Sequence, residues 1–279
     1  MPELPEVETQ ARGLQAIIGY KFQELKSNTP KEFTPSFPKF RRQILGAQIR
    51  KIWRRAKFLI FDLDQQQKII IHFRMTGHFL YSQNAIPREK AIRHFFYLQA
   101  PPSQKNFPIK VLQFADIRKF ATFKLVSNPD FPPPEIQKLG PEPLAQNFTW
   151  RVFQKLFAQQ KGKLKQVLLQ QTFLAGIGNI YADEICFSSG VRPEREISTL
   201  QATEQQKIFQ EIKKQLQKGV KNCGTTVGEF VDIWGKHGHN QNSLQVYKRY
   251  GQPCLACKCI LQKTKVSQRT TTFCWHCQK

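Results

Sequence analysis

The sequence predicts an α+β protein: a leading helix, an antiparallel β-sandwich or barrel, a helical domain and a four-cysteine ribbon. Three observations predict it. Short β-type runs rich in Ile, Phe and Leu fill the first half, a proline-dense stretch divides the chain, and two Cys-x-x-Cys pairs close it.

The chain has 279 residues, room for two domains of ordinary size. Hydrophobic residues at 40%, with 12% aromatics, mark a globular chain and exclude a disordered one. Lys and Arg number 43 against 20 Asp and Glu, a net charge of +23. Such an excess points to a polyanionic partner, most simply nucleic acid; ribosomal, membrane-surface and heparin-type partners share the charge argument. No apolar run approaches the roughly eighteen residues of a membrane helix, and the acidic start has no signal-peptide pattern. A soluble, cytoplasmic protein is expected.

Val7, Ala11, Leu14 and Ile18 share one face of a helix predicted over 5–18, with Pro5 suited to its first turn and Gly19 ending it. Apolar runs at 21–26, 47–54, 58–63, 68–73, 93–98, 110–114 and 120–126 predict strands, most of them separated by Pro, Gly, Asn or Gln clusters. Six prolines between 127 and 146 make a stiff connector. Helical patterns follow at 150–159, 164–171, 179–188, 203–219 and 226–234. The domains are therefore expected at 1–130, 148–243 and 244–279, with the connector at 131–147.

Cys254, Cys257, Cys274 and Cys277 have the spacing of a four-thiolate site for one structural Zn²⁺, each Cys-x-x-Cys turning two sulfurs toward one ion. Cys259 is a spare thiol beside the set, and Cys186 reads as a small buried hydrophobe. Lys258, Lys263, Lys265 and Arg269, with Thr264, Ser267 and Thr270, suit phosphate contacts and make the ribbon a candidate DNA-facing finger.

Pro2 follows the initiator methionine, and loss of Met1 would leave it a secondary amine. Glu3 and Glu6 lie within a turn of it. An amine beside a carboxylic acid can attack a sugar carbon and protonate the oxygen that leaves it; the same letters also make an ordinary capped helix start. Gly176-Ile177-Gly178-Asn179 frees backbone N–H groups ahead of a helix, a phosphate-binding pattern and equally a plain turn. Lys57, after Arg54-Arg55-Ala56, reads as a basic strand edge. Met75 in His72-Phe73-Arg74-Met75-Thr76-Gly77, and Arg118 and Phe120 in Asp116-Ile117-Arg118-Lys119-Phe120, read as core Met and Phe beside an exposed Arg.

Together with Met1-Pro2-Glu3-Leu4-Pro5-Glu6-Val7-Glu8-Thr9, Leu139-Gly140-Pro141-Glu142-Pro143-Leu144 and Gln268-Arg269-Thr270-Thr271-Thr272-Phe273-Cys274, these strings resemble the bacterial formamidopyrimidine-DNA glycosylases along nearly the whole chain. The resemblance implies an N-terminal antiparallel β-sandwich, a helix–two-turn–helix domain and a zinc ribbon. It implies a DNA glycosylase and AP lyase that removes oxidised purines from damaged double-stranded DNA, working as a nucleoid-associated monomer. Pro2 would form a Schiff base with the sugar while Glu3 acts as general acid. Lys57 would contact phosphate and assist β-elimination; Arg269 would contact the lesion's phosphate. Met75, Arg118 and Phe120 would fill the gap left by the extruded base, and Asn179 would bind the backbone. Glu6, His72, His94, Lys161 and Tyr247 complete the implied DNA contacts. The chain departs from the family at Gly228, where a basic residue is usual, at Cys223, at Ala121 and at Arg93-His94.

Overall fold

A computed structural model of the chain describes residues 1–82, 91–102 and 111–279. The described residues fall into two units, Met1–Gln137 with Asn222–His239, and Lys138–Lys221 with Asn240–Lys279. The segment Asn222–His239 thus belongs with the first unit, although the sequence reading runs the helical domain through 243.

The first unit is a β-sandwich behind a leading helix, α1 (Leu4–Gly13), which continues as a 3-10 turn, Leu14–Ile17. One sheet consists, in spatial order, of β1 (Lys21–Ser27), β7 (Ile92–Gln99), β8 (Val111–Ala115) and β6 (His78–Ser82). The other consists of β2 (Phe33–Thr34), β9 (Thr122–Ser127), β5 (Gln67–His72), β4 (Phe58–Leu63) and β3 (Ile49–Arg55). All pairings within the two sheets are antiparallel except β2 with β9, a two-residue parallel contact. A short helix, α2 (Phe37–Ile44), packs Phe40 and Ile44 inward; α3 (Pro134–Gln137) ends the unit's first segment.

The core lies between the sheets. Along β7 burial alternates, so Ile92, His94, Phe96 and Leu98 face inward. The Phe79 ring of β6 sits 4.9 Å from Phe114 of β8 and 6.0 Å from Phe61 in the opposite sheet. Each such Phe contributes about 2–3 kcal/mol by leaving water, and a good edge-to-face pair adds about 1 kcal/mol.

In the second unit α4 (Trp150–Phe157), α5 (Leu164–Leu169), α6 (Asn179–Ser189) and α7 (Ala202–Lys221) carry the helical patterns read from the sequence. Helices α6 and α7 approach closely because residue 219 is glycine: a Cβ there would lie 2.4 Å from the Tyr181 hydroxyl. The ribbon is the hairpin β10 (Gln262–Val266) and β11 (Arg269–Phe273). Its two turn residues, Ser267 (φ 48°) and Gln268 (φ 62°), are both left-handed, the geometry that matches strand twist in tight hairpins. Among the described residues no helix is long and apolar enough to cross a membrane.

Two expectations change. Residues 226–234 form no helix; side chains satisfy their backbone instead, with Asp232 Oδ1 accepting from the N–H groups of Trp234 and Lys236, both at 2.8 Å. Phe120 and Ala121 precede β9 because their N–H groups bond to Asp116. The predicted strand at 110–114 begins on Lys110, which lies outside the described residues. β2, β6 and α2 have no counterpart in the sequence reading.

Candidate active site and metal centre

Glu3 is the N-cap of α1, and Pro5 stands in the first turn, where a missing N–H costs nothing. Glu6 Oε2 accepts from the Glu3 N–H at 2.8 Å while the Glu3 carboxylate caps the Glu6 N–H, a reciprocal capping box. Pro2 is buried and Glu3 is 2% exposed, whereas Met1 is 45% exposed. The other Glu6 oxygen accepts from the Thr225 N–H at 2.7 Å. That approach requires glycine before Thr225: Gly224 has φ 81°, and a Cβ on it would meet Glu6 Cγ at 3.0 Å. Gln10 holds the same returning segment, donating to the Val231 carbonyl at 2.9 Å and accepting from the Phe79 N–H at 2.9 Å. Tyr81 adds an N–H bond to the Ile233 carbonyl at 2.7 Å.

Lys57 lies at the tight β3–β4 turn after Ala56, a left-handed residue with φ 53°, and is 6% exposed. The hairpin is fastened to α1 by Arg54 Nε on Glu8 Oε2 at 2.9 Å. Burial works to raise the Glu8 carboxyl, but the guanidinium groups of Arg54 and Arg12 prevail and lower its pKa. His72, at the end of β5, stacks edge-on with Phe58 at 4.7 Å. Burial, helped by the charges of Arg74 and Lys57, pushes the His72 pKa down to about 3, so the ring is neutral. Its Nδ1 accepts from the Arg74 N–H at 3.0 Å, which leaves Nε2 as the protonated nitrogen.

Two loops meet at Asp116. One carries Met75; the other carries Arg118 and Phe120. Asp116 Oδ2 accepts from the N–H groups of Phe120 at 2.8 Å and Ala121 at 2.9 Å, and Oδ1 accepts from Arg118 at 3.2 Å and from the Thr76 hydroxyl. Phe120 is 53% exposed, with the Arg118 guanidinium 5.1 Å from its ring centroid. Met75 is half-buried.

In the second unit Asn179 opens α6 and donates to the Thr270 carbonyl at 3.2 Å, which ties the helix start to β11. Gln171 braces the loop before it, accepting from Gly176 N–H at 2.9 Å and donating to the Ile177 carbonyl at 2.8 Å. Beneath them Lys165 and Asp183 form a fully buried ion pair at 2.6 Å, and Lys165 also donates to Thr271 Oγ1 at 2.7 Å. Burial pushes the Asp183 carboxyl up to about 7 against the pull of the Lys165 ammonium. Glu184 gathers the N–H groups of Gln245, Val246 and Tyr247 at 2.8–3.0 Å and so sets the half-buried Tyr247. Arg269, the first residue of β11, and Lys161 are exposed.

The sulfurs of Cys254, Cys257, Cys274 and Cys277 all lie within 4.8 Å of one another, with Cys254 and Cys277 at 3.9 Å and Cys257 and Cys274 at 3.4 Å. A zinc tetrahedron with Zn–S near 2.3 Å has edges of about 3.8 Å, so the four thiols fit that ion. The Lys258 N–H donates to the Cys254 carbonyl at 3.0 Å and the Gln278 N–H to the Cys274 carbonyl at 3.1 Å, shaping two matching knuckles. Cys259 is exposed and stands outside the set; Cys186 is fully buried, its thiol pushed up by burial.

Residues 1–123 match the formamidopyrimidine-DNA glycosylase N-terminal domain and residues 139–231 the formamidopyrimidine-DNA glycosylase H2TH domain. The chain belongs to the formamidopyrimidine-DNA glycosylase family. It is a DNA-repair glycosylase with the family's fold: β-sandwich, helix–two-turn–helix domain and four-cysteine cluster. Formamidopyrimidine-DNA glycosylases of Streptococcus mutans (37% identical) and Herpetosiphon aurantiacus (38%) each align over 281 residues, covering 100% of both chains. The solved Lactococcus lactis Fpg, in complex with an abasic-site-containing DNA, superposes with a TM-score of 0.90 at 34% identity, covering 99% of each chain.

Two of the residues expected at the DNA, Glu6 and His94, are enclosed by the protein's own groups. Glu6 is 1% exposed and spends both oxygens on backbone N–H groups within the protein. His94 is 0% exposed, with Nε2 on Glu32 at 2.8 Å and Nδ1 on the Ser27 hydroxyl at 2.9 Å, inside a cage of Phe33, Phe114 and Phe123 rings. Sequence reasoning gave no role to the buried braces Gln10, Lys165, Asp183 and Glu184, to the half-buried Gln171, or to the Asp116 carboxylate. Asp183 and Glu184 follow the Gly176–Asn179 turn by one helical turn, but only the fold reveals which backbone they serve.

Proposed function

We propose that this glycosylase removes oxidised purines from damaged double-stranded DNA and nicks the strand at the resulting site, acting as a monomer. The observation that supports this most directly is the N-terminal turn: Pro2 next to a buried Glu3, held by the Glu6 capping box, behind an exposed Met1. Removal of Met1 would leave Pro2 as a secondary amine. An α-amine of pKa about 7.7–8.0 is roughly a tenth neutral at pH 7, and positive surroundings enlarge that fraction.

In the proposed reaction the Pro2 nitrogen attacks C1′ while Glu3 protonates the deoxyribose ring oxygen, opening the sugar and releasing the base. The Pro2 iminium makes the C2′ proton acidic, and successive β- and δ-eliminations cut the strand. Lys57, beside His72 on the turn fastened to α1, holds phosphate and assists elimination. The neutral His72 donates from Nε2. Arg269, Asn179, Lys161 and Tyr247 hold the backbone from the second unit. Met75, Arg118 and Phe120 fill and wedge the stack, whose opening costs a few kcal/mol. Zn²⁺ on Cys254, Cys257, Cys274 and Cys277 would fix the ribbon and takes no part in bond making.

Single-turnover excision from duplexes carrying 8-oxoguanine or thymine glycol tests the reading. Wild type should prefer the purine, and Glu3→Gln should lose at least about 10²-fold in base release, the usual worth of a general acid. A clear preference for thymine glycol would make the chain a pyrimidine-directed enzyme. Binding without any cleavage would make it a non-catalytic zinc-ribbon DNA-binding protein.

A further inference from the structure

We propose that Asp116 is a positioning residue for base extrusion: its carboxylate locks the Met75 loop and the Arg118–Phe120 loop into a single preformed wedge. This rests on the reading that those three side chains enter the DNA stack.

Asp116 is 0% exposed and follows the last residue of β8. Its main chain is fixed on both sides, the N–H donating to the Ala91 carbonyl at 2.8 Å and the carbonyl accepting from Arg93 Nε at 2.8 Å. Its side chain meets four donors, the backbone N–H groups of Arg118, Phe120 and Ala121 and the Thr76 hydroxyl. Thr76 Oγ1 in turn accepts from the Arg118 N–H at 3.2 Å. The two carboxylate oxygens together serve three backbone N–H groups and the hydroxyl. An amide in its place would turn an NH₂ toward N–H groups.

The loop it holds is unusual. Ile117 and Phe120 are 48% and 53% exposed, and Lys119 sits in a left-handed conformation at φ 56°. An unbraced loop of this kind would fold its apolar side chains back or sample many states, and ordering it on DNA would add to the cost of opening the stack. With the brace, Phe120 and Arg118 project before DNA arrives, and Thr76 sets Met75 on the other side of the same carboxylate. Asp116 therefore acts on extrusion, not on the sugar chemistry.

Two substrates separate these steps in the full-length protein: a paired 8-oxoguanine duplex, and single-stranded abasic DNA, which needs no extrusion. Asp116→Asn should slow excision from the duplex about 10-fold or more while changing borohydride trapping on the abasic strand less than about 3-fold. It should also weaken the fluorescence rise of 2-aminopurine placed opposite the lesion. Thr76→Val, which removes one tie and keeps the carboxylate, should shift both readings the same way by less. Equal losses on both substrates, or an unaffected duplex rate, would overturn the proposal. Phe120→Ala tells its failure from that of the wedge reading. If Phe120→Ala leaves the duplex rate and fluorescence at wild-type levels, the wedge fails and takes the proposal with it. If Phe120→Ala impairs them and Asp116→Asn does not, the proposal alone fails.

Discussion

Glu6 of the leading helix and Thr225 of the returning segment are joined by a 2.7 Å hydrogen bond, and the same carboxylate holds the Glu3 N–H at 2.8 Å. One buried side chain thus fixes both the N-terminal turn and the start of the segment that contains Gly228. Glu6→Gln keeps the shape but has one acceptor oxygen for two buried donors. We expect it to lose about 1–3 kcal/mol of stability and to slow base excision, read from urea unfolding and single-turnover rates. Unchanged values on both would show that the turn is positioned by something else.

His72 sets a pH dependence. Its folded pKa is about 3, lowered first by burial and then by the Arg74 and Lys57 charges, against about 6.5 in an unfolded chain. As pH falls below about 6.5 the unfolded state takes up a proton that the native state refuses, so stability declines toward pH 3. His72→Gln should show a smaller drop in urea midpoint between pH 7.5 and 5 than wild type. His94, also lowered by burial, keeps part of the slope in both proteins. Parallel slopes would place the titration elsewhere.

The four-cysteine cluster should hold about one zinc per chain. Metal analysis by mass spectrometry should find it in wild type and in Cys259→Ser, and lose it in Cys274→Ser. Stripping the metal with a strong chelator should lower the melting temperature and weaken DNA binding, since ribbon and metal fold together. Zinc loss in Cys259→Ser would mean that the exposed thiol is a ligand.

The buried Lys165–Asp183 pair underlies Asn179 and β11. Replacing Asp183 with Asn leaves an uncompensated ammonium in the core and should cost about 3–5 kcal/mol. The double replacement Lys165→Met with Asp183→Leu should cost less, because no lone charge is left. Urea unfolding of the three proteins checks this; a double variant that loses as much as Asp183→Asn, or more, would deny the coupling.

Much of this was legible in the sequence because it is local. Period-two burial in β7, the Cys-x-x-Cys pairs and the Gly176–Asn179 turn depend on near neighbours. The segment 226–234 misled because its apolar letters have helical spacing, while its backbone is satisfied by its own Asp232 and by Gln10 and Tyr81, which distant chain supplies. The setting of His94 was hidden for a similar reason: its neighbours in sequence look like a strand start, and only folding places it between Glu32 and Ser27. Asp116 was visible as a letter, but a carboxylate's job depends on which N–H groups the fold points at it.

In the proposed reaction Pro2 becomes covalently joined to the sugar. Wild-type protein should be trapped with borohydride on an 8-oxoguanine duplex, digested, and the DNA-bearing peptide sequenced by tandem mass spectrometry. The adduct should lie on the Pro2 nitrogen of a chain that has lost Met1. An adduct on Lys57 or another lysine, or full activity in a chain that keeps Met1, would contradict it.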